Sequence, residues 1–407
     1  MKTLYYIPSC LLLAALLSCS TKDPEAKTDN KVAYTPTVLA DTLLAGTYTK
    51  DQMANRLSAF AGTNSGTNNS FASLLLTNGI KVYRITYKTI EPTNLSPVTA
   101  SGLVCIPDIA GSFALVSHQH GTIRETDETN APSYFNNSTQ GGEGNVAALL
   151  AASGFVVSSP DYLGYGATKE LAHPYEHAPS LARASIDMLS AAKELCILKG
   201  VTLGGKLFLV GYSEGGFATM AMQKMIEEKY FTQFTITASY IGAGAFDKTS
   251  FAKYILNSTT DLTFLNYYVW VLTTYNKVYK INRPFSYYFT SDNATKLEND
   301  IFAEVNKNPQ NLFVPAFKSG ILSGSDSLML AAFKDNHLYD WKPVSETNLY
   351  HGTKDDFVPI FNAEIALSAM QAKGAAKVSL TKFDNADHYS GGAQYFQAAY
   401  LALIQRR

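Results

Sequence analysis

Ser213 stands in the run Gly211-Tyr212-Ser213-Glu214-Gly215, directly after the apolar stretch Leu207–Val210 and before a helix-forming segment. On a sharp strand-to-helix turn, glycines on either side let neighbouring backbone come close, so the serine hydroxyl stands free at the carboxyl edge of a sheet. The helix N-terminus that follows favours negative charge developing beside it. A serine hydroxyl attacks a carbonyl only when a base takes its proton, so the turn calls for a histidine and an acid. There are seven histidines: His118, His120, His173, His177, His337, His351 and His388. His388 follows the last strand-like run, in the loop Asp387-His388-Tyr389-Ser390-Gly391-Gly392. The acid is expected after the preceding strand, where the chain reads His351-Gly352-Thr353-Lys354-Asp355-Asp356-Phe357-Val358-Pro359. Chain order and element position fit Ser213, Asp355 and His388, with Asp356 as the rival acid and Asp387 as a loop-capping residue. The bland reading of the glycine-rich run is a tight structural turn. With an acid and a base in the matching places, acyl transfer is the stronger one.

The elements that must position these residues alternate along the chain. Ile80–Thr89 and Thr99–Ile106 read as an antiparallel pair, followed by strands at Phe113–Ser117, Phe155–Ser159, Leu207–Tyr212, Thr235–Ala243, Thr347–Tyr350 and Val378–Phe383. Helices are expected over Asn145–Ser153, Leu181–Lys199, Gly215–Lys229, Ile360–Lys373 and Gly392–Gln405, with Ser180 as an N-cap and Gly200 as a stop. Such alternation predicts an α/β fold, a mostly parallel sheet with helices on both faces. One segment breaks the rhythm. Asp247–Val344 separates two strands that a single crossover should join, and Leu265–Phe289 within it is crowded with aromatics. A stretch of that length needs structure of its own, a helical cap over one end of the sheet. The expected organisation is a core over 38–246, a cap insertion over 247–345 and the rest of the core over 346–407.

Composition narrows the partners. Of 407 residues, 33 are Lys or Arg and 34 Asp or Glu, a net charge of −1 that, without a basic stripe, disfavours nucleic acid. An apolar fraction of 46 % with only 16 % charged residues excludes disorder over most of the length. No metal spacing is visible and no cofactor is called for. His118 and His120 stand two apart with no third ligand nearby. His173 and His177 bracket Pro174-Tyr175-Glu176 and read as solvated loop histidines, with the pocket entrance as their alternative place. Asp161-Tyr162, Gly164 and Gly166 read as a tight turn near the site.

The N-terminus carries a processing signal rather than fold. Lys2, the apolar run Leu11–Leu17 and the small Ser18 make a secretory signal over 1–18, too short for a spanning helix. Leu16-Leu17-Ser18-Cys19 looks like a bacterial lipobox, which would lipidate Cys19 and tether the domain to a membrane through the polar stretch 19–37. The chain is thus expected to be exported and lipid-anchored to the cell envelope, on the periplasmic or surface face of the outer membrane. Cys10 leaves with the signal. Cys105 and Cys196 read as buried free thiols.

From about Gly79 onward the sequence resembles the α/β-hydrolase superfamily. The run His351–Pro359 is similar to the HGxxDxxVP pattern around that superfamily's acid, which selects Asp355 over Asp356. Together with it, ASGLVCIP (Ala100–Pro107), SHQHGT (Ser117–Thr122), SPDYLGYG (Ser159–Gly166) and GYSEGG look like the secretory lipase and related bacterial esterase group. An oxyanion needs two backbone donors, and the residue after the nucleophile, Glu214, supplies one. The resemblance places the other in the turn His120-Gly121-Thr122, with Thr122 preferred and Gly121 second. The expected partner is a small-molecule ester, and an aromatic-rich cap suits an apolar or aromatic acyl group. Two competing readings remain. A peptidase of the same fold would need an acidic anchor for an ammonium group, offered by Glu298, Asp300 or Glu304. A non-catalytic binding lipoprotein would need no triad at all.

Overall fold

Among the residues that the computed structural model describes (37–60, 75–136 and 142–407), nine strands form one sheet in the order β1-β2-β3-β5-β4-β6-β7-β8-β9. The signal, Cys19 and most of the tether lie outside the described residues. β1 (Leu39–Tyr48), β2 (Ile80–Ile90) and β3 (Pro97–Pro107) run antiparallel, and β3 pairs antiparallel with β5 (Val156–Pro160). From β5 onward every pairing is parallel, through β4 (Ser112–Gln119), β6 (Thr202–Tyr212), β7 (Ala238–Gly242), β8 (Glu346–Gly352) and β9 (Val378–Phe383).

The central strands are apolar without alternation because helices cover both faces. All of Leu207–Tyr212 is buried, as is the whole of β7. On one face lie α1 (Lys50–Phe60), α2 (Gly144–Ala152) and the last helix, α12 (His388–Ile404). On the other lie α3 (Ala178–Lys199), α4 (Glu214–Met225) and α11 (Phe361–Ala372). The chain passes from β4 to β5 on one side and then returns to β6 on the other. That reversal opens a crevice at the carboxyl ends of β4 and β6, where sheets of this kind bind ligands.

Between β7 and β8 lie six helices: α5 (Lys248–Asn257), α6 (Leu265–Val278), α7 (Ser291–Asn299), α8 (Pro309–Leu312), α9 (Pro315–Ser323) and α10 (Ser327–Asp335). They share a core that includes Leu265, Val269, Tyr275, Phe313, Phe317 and Ile321, and Phe357 and Val358 of the segment after β8 join it. Most of the aromatics of Leu265–Phe289 therefore pack this insertion against itself and against the acid loop. Among the described residues no helix is long and apolar enough to cross a membrane.

Several local expectations change. β1 and α1 have no counterpart in the sequence reading: α1 is largely exposed and polar, and the leucines of β1 at 43 and 44 are adjacent and exposed rather than alternating. α3 begins at Ala178, so Ser180 is inside it rather than capping it, and its hydroxyl donates back to the His177 carbonyl. Gly200 does end that helix, with φ +67°. α4 stops at Met225 and runs into a π-helical turn over Ile226–Tyr230. His388 is the first residue of α12 and not part of a loop. Asp387 caps that helix, accepting from the Ser390 N–H at 2.8 Å.

Candidate active site

The turn from β6 to α4 holds Ser213 at φ +60° and ψ −124°, a conformation that side chains adopt only when the surroundings impose it. The surroundings here are backbone. A Cβ on Gly215 would lie 2.2 Å from the Gln119 carbonyl oxygen, and one on Gly216 only 2.0 Å from that of Gly242. The first turn of α4 is thus wedged between the ends of β4 and β7, and glycine alone fits. The Ser213 N–H donates to the Gly242 carbonyl at 3.0 Å, which fixes the strained residue from the other side.

Three side chains, from the turn after β6, the segment after β8 and the first turn of α12, meet here. His388 Nδ1 lies 2.8 Å from Asp355 Oδ2, and His388 Nε2 lies 2.9 Å from Ser213 Oγ. A carboxylate can only accept, so Nδ1 carries the proton and Nε2 is left to accept from the serine hydroxyl. Asp355 Oδ1 accepts from the Phe357 and Val358 N–H groups at 3.0 and 2.8 Å, which orients the carboxylate. Burial pushes the Asp355 carboxyl up, but hydrogen bonds from His351 and His388 more than offset it and hold it at about 2. It is therefore an anion wherever the protein is folded at ordinary pH. Asp356 takes no part in these contacts. The imidazole is held in place by the Phe357 ring at 4.9 Å and, through its own backbone, by the Tyr212 hydroxyl, which donates to the His388 carbonyl at 2.6 Å.

Glu214 and the turn Gly121–Thr122 border the same spot. A Cβ on Gly121 would be 3.6 Å from the Tyr212 carbonyl oxygen, so the turn after β4 runs beside the residue before Ser213. The Thr122 hydroxyl lies 3.0 Å from that of Tyr175, whose ring stacks on Trp270 at 4.3 Å.

The histidines of this region are not solvated. His173 is 2 % exposed and His177 5 %. His173 Nδ1 donates to the Leu163 carbonyl at 2.7 Å, and Nε2 meets Glu214 Oε1 at 2.7 Å in a pair closed off from water. That pair joins the residue after Ser213 to the loop after β5, a contact between residues 41 apart that no local spacing reveals. His118 and His120 do not form a metal pair. Both ring nitrogens of His120 face backbone carbonyls, of Gly121 at 2.7 Å and Asp161 at 3.1 Å, and burial pushes His118 down to about 3. The tight turn after β5 is anchored by Asp161, which accepts from the Ser101 hydroxyl at 2.6 Å and the Ser133 N–H at 2.8 Å. Cys105 and Cys196 are buried and free. Glu298, Asp300 and Glu304 are exposed on the cap and offer no enclosed anchor for an ammonium group.

Comparisons with known proteins agree with this architecture. A family profile described as secretory lipase matches residues 132–407. A putative hydrolase from Legionella pneumophila shares the fold with a TM-score of 0.78, at 24 % identity over 91 % of this chain and 98 % of its own. The rice cell wall degrading esterase LipA from Xanthomonas oryzae does so with 0.71, at 24 % identity over 90 % and 96 %. Lipase A of Candida antarctica, in its closed state, is similar with 0.61, at 14 % identity over 88 % and 82 %. Both the esterase and the lipase place the sheet and its covering helices within the α/β-hydrolase fold. No curated protein sequence matches the chain.

Proposed function

Since this chain belongs to the secretory lipase family and is a carboxylic ester hydrolase, we propose that it cleaves its ester through Ser213, His388 and Asp355 by way of an acyl-enzyme. The observation that carries the proposal is the single imidazole within hydrogen-bond reach of both Ser213 Oγ at 2.9 Å and Asp355 Oδ2 at 2.8 Å. In the first half-reaction Ser213 Oγ attacks the ester carbonyl carbon while its proton passes to His388 Nε2. The tetrahedral oxyanion is held by the backbone N–H of Glu214 together with a donor from the turn after β4, Thr122 first and Gly121 second. Collapse of that intermediate breaks the bond to the alcohol, which leaves with the proton from His388. Water then enters on the same histidine, repeats the sequence in reverse and releases the acid. Asp355 fixes the imidazole tautomer and stabilises its charged form throughout.

The test is labelling and turnover together. Ser213→Ala is expected to abolish reaction with a fluorophosphonate probe and to lower kcat/KM for nitrophenyl esters by at least ~10⁴-fold, with Asp355→Asn falling by a similar order. Undiminished labelling of Ser213→Ala would remove the serine from the reaction. Faster turnover of amino-acyl anilides than of esters would favour the peptidase reading.

Membership in a secretory family supports export, and the sequence Leu16–Cys19 supports lipid anchoring at Cys19 in the cell envelope. The full-length protein is expected to partition into the detergent phase on cloud-point extraction and Cys19→Ser into the aqueous phase. Equal partitioning of the two would exclude the anchor.

A further inference from the structure

Among the helices of the insertion, where Glu176 of the loop after β5 meets them, lies a cavity of about 60 Å³ walled by Phe251, Leu272, Phe313, Phe317 and Phe333. Two charged residues break this apolar wall. Glu176 and Lys248 both line the cavity, and the Lys248 ammonium donates to Glu176 Oε2 with side chains 4 % and 8 % exposed for the lysine and the glutamate. A buried ion pair is weak evidence for stability, because desolvation consumes most of what the attraction returns. Here the pair is also unfinished. Glu176 Oε1 has no hydrogen-bond partner among the described residues, and Glu176 is the only acceptor for the Lys248 ammonium, whose other neighbour is the face of the Phe217 ring at 4.0 Å. Burial pushes the Glu176 carboxyl up and the Lys248 ammonium down, and their attraction works against both.

None of the reacting groups lines the cavity, but two of its neighbours are bonded to them or pack on them. Phe217, under the Lys248 ammonium, donates its N–H to the Ser213 carbonyl at 3.0 Å. Tyr268, on the cavity wall, donates its hydroxyl to the Phe357 carbonyl at 2.5 Å, and the Phe357 ring packs on His388. Size then limits the occupant. A cavity that holds benzene measures about 150 Å³, so a space this small suits an unbranched chain of a few carbons rather than an aromatic ring. Polarity limits it further. A chain lying against five apolar side chains and ending at Glu176 and Lys248 meets a free acceptor and free donor capacity, and a hydroxyl satisfies both at once.

We propose that this cavity is the acyl subsite and that the Lys248–Glu176 pair selects short aliphatic acyl chains bearing a hydroxyl over plain chains of the same length. The assignment rests on Ser213 being the nucleophile, and the experiment keeps the two apart. The wild-type enzyme is assayed with ethyl butanoate against ethyl 3-hydroxybutanoate, and with ethyl hexanoate against ethyl 6-hydroxyhexanoate. At least one hydroxy ester is expected to show a kcat/KM five- to tenfold above its parent. In the charge-neutral double variant Glu176→Gln/Lys248→Met that ratio is expected to fall to one or below. Ala252→Leu, which fills the cavity from a position without charge, should lower kcat/KM for the favoured ester at least tenfold relative to ethyl acetate. If neither hydroxy ester beats its parent, or the preference survives in the double variant, the subsite is misassigned. A gain only when the hydroxyl sits on the alcohol side, as in 2-hydroxyethyl hexanoate, would also overturn it. Fluorophosphonate labelling of Ser213 and turnover of ethyl acetate report on the nucleophile alone, so a labelled enzyme without hydroxyl preference leaves the triad standing while the acyl assignment falls.

Discussion

Asp355 gathers more donors than any other carboxylate of the site: His388 Nδ1 and two backbone N–H groups, with His351, whose Nε2 bonds the Val358 carbonyl, 3.4 Å away. Those donors hold its carboxyl at about 2 against an ordinary value of 3.8, so the folded state prefers the anion. A depressed carboxyl contributes stability that is complete above its unfolded value and is lost as pH falls through its folded one. The contribution is on the order of 2 kcal/mol and disappears between about pH 4 and pH 2. Asp355→Asn should therefore be destabilised by urea relative to wild type at pH 6, with the gap closing by that amount near pH 2. A gap that stays constant with pH would mean the carboxylate's charge is not what these donors stabilise. At this scale the sequence was informative where a residue sits in a recognisable run at the end of a strand, and silent elsewhere. Ser213, Asp355 and His388 each follow a strand, in the chain order expected of the fold that the sequence resembles. The Glu214–His173 pair and the lining of the cavity by Glu176 and Lys248 join residues distant along the chain, and nothing in their neighbours' periodicity marks them.

At the scale of elements, the strand-turn-helix around Ser213 depends on close backbone approach. Gly216→Ala would put a methyl 2.0 Å from the Gly242 carbonyl, between two backbones that cannot both yield. Gly200, at φ +67° with nothing within 4 Å, faces only the cost of a left-handed backbone. Urea titration should show Gly200→Ala losing about 1–2 kcal/mol. Gly216→Ala should lose more than that, on the order of 3 kcal/mol or beyond, or fail to fold. Equal losses would contradict the wedge. Core strands were legible because burial on both faces leaves unbroken apolar runs, as in Leu207–Tyr212. β1 and α1 were not: in the edge strand the adjacent Leu43 and Leu44 break any alternation, and the largely exposed helix has little apolar face to mark a period. The start of α12 was hidden by Gly391 and Gly392, which read as loop although Asp387 caps the helix ahead of them.

For the whole molecule, the parallel strands bring the ends of β4, β6, β8 and β9 to one rim, and the insertion between β7 and β8 roofs it. The interruption of strand–helix rhythm marked the segment where helices are inserted between β7 and β8. It did not reveal that the acid loop's Phe357 and Val358 are built into the cap's core, so that the element covering the site and the element supplying the acid pack as one. Its aromatic richness is what suggested an apolar or aromatic acyl group, and most of those rings pack the insertion itself. The proposed event that this arrangement serves is the transfer of an acyl group to the Ser213 oxygen. The most direct test is to mix the enzyme with nitrophenyl acetate, quench in acid within milliseconds and map the peptides by mass. One acetyl group on the peptide carrying Ser213, absent from Ser213→Ala and formed far more slowly in His388→Ala, is the predicted result. An acetyl group on another residue, or equally fast acetylation without His388, would contradict the account.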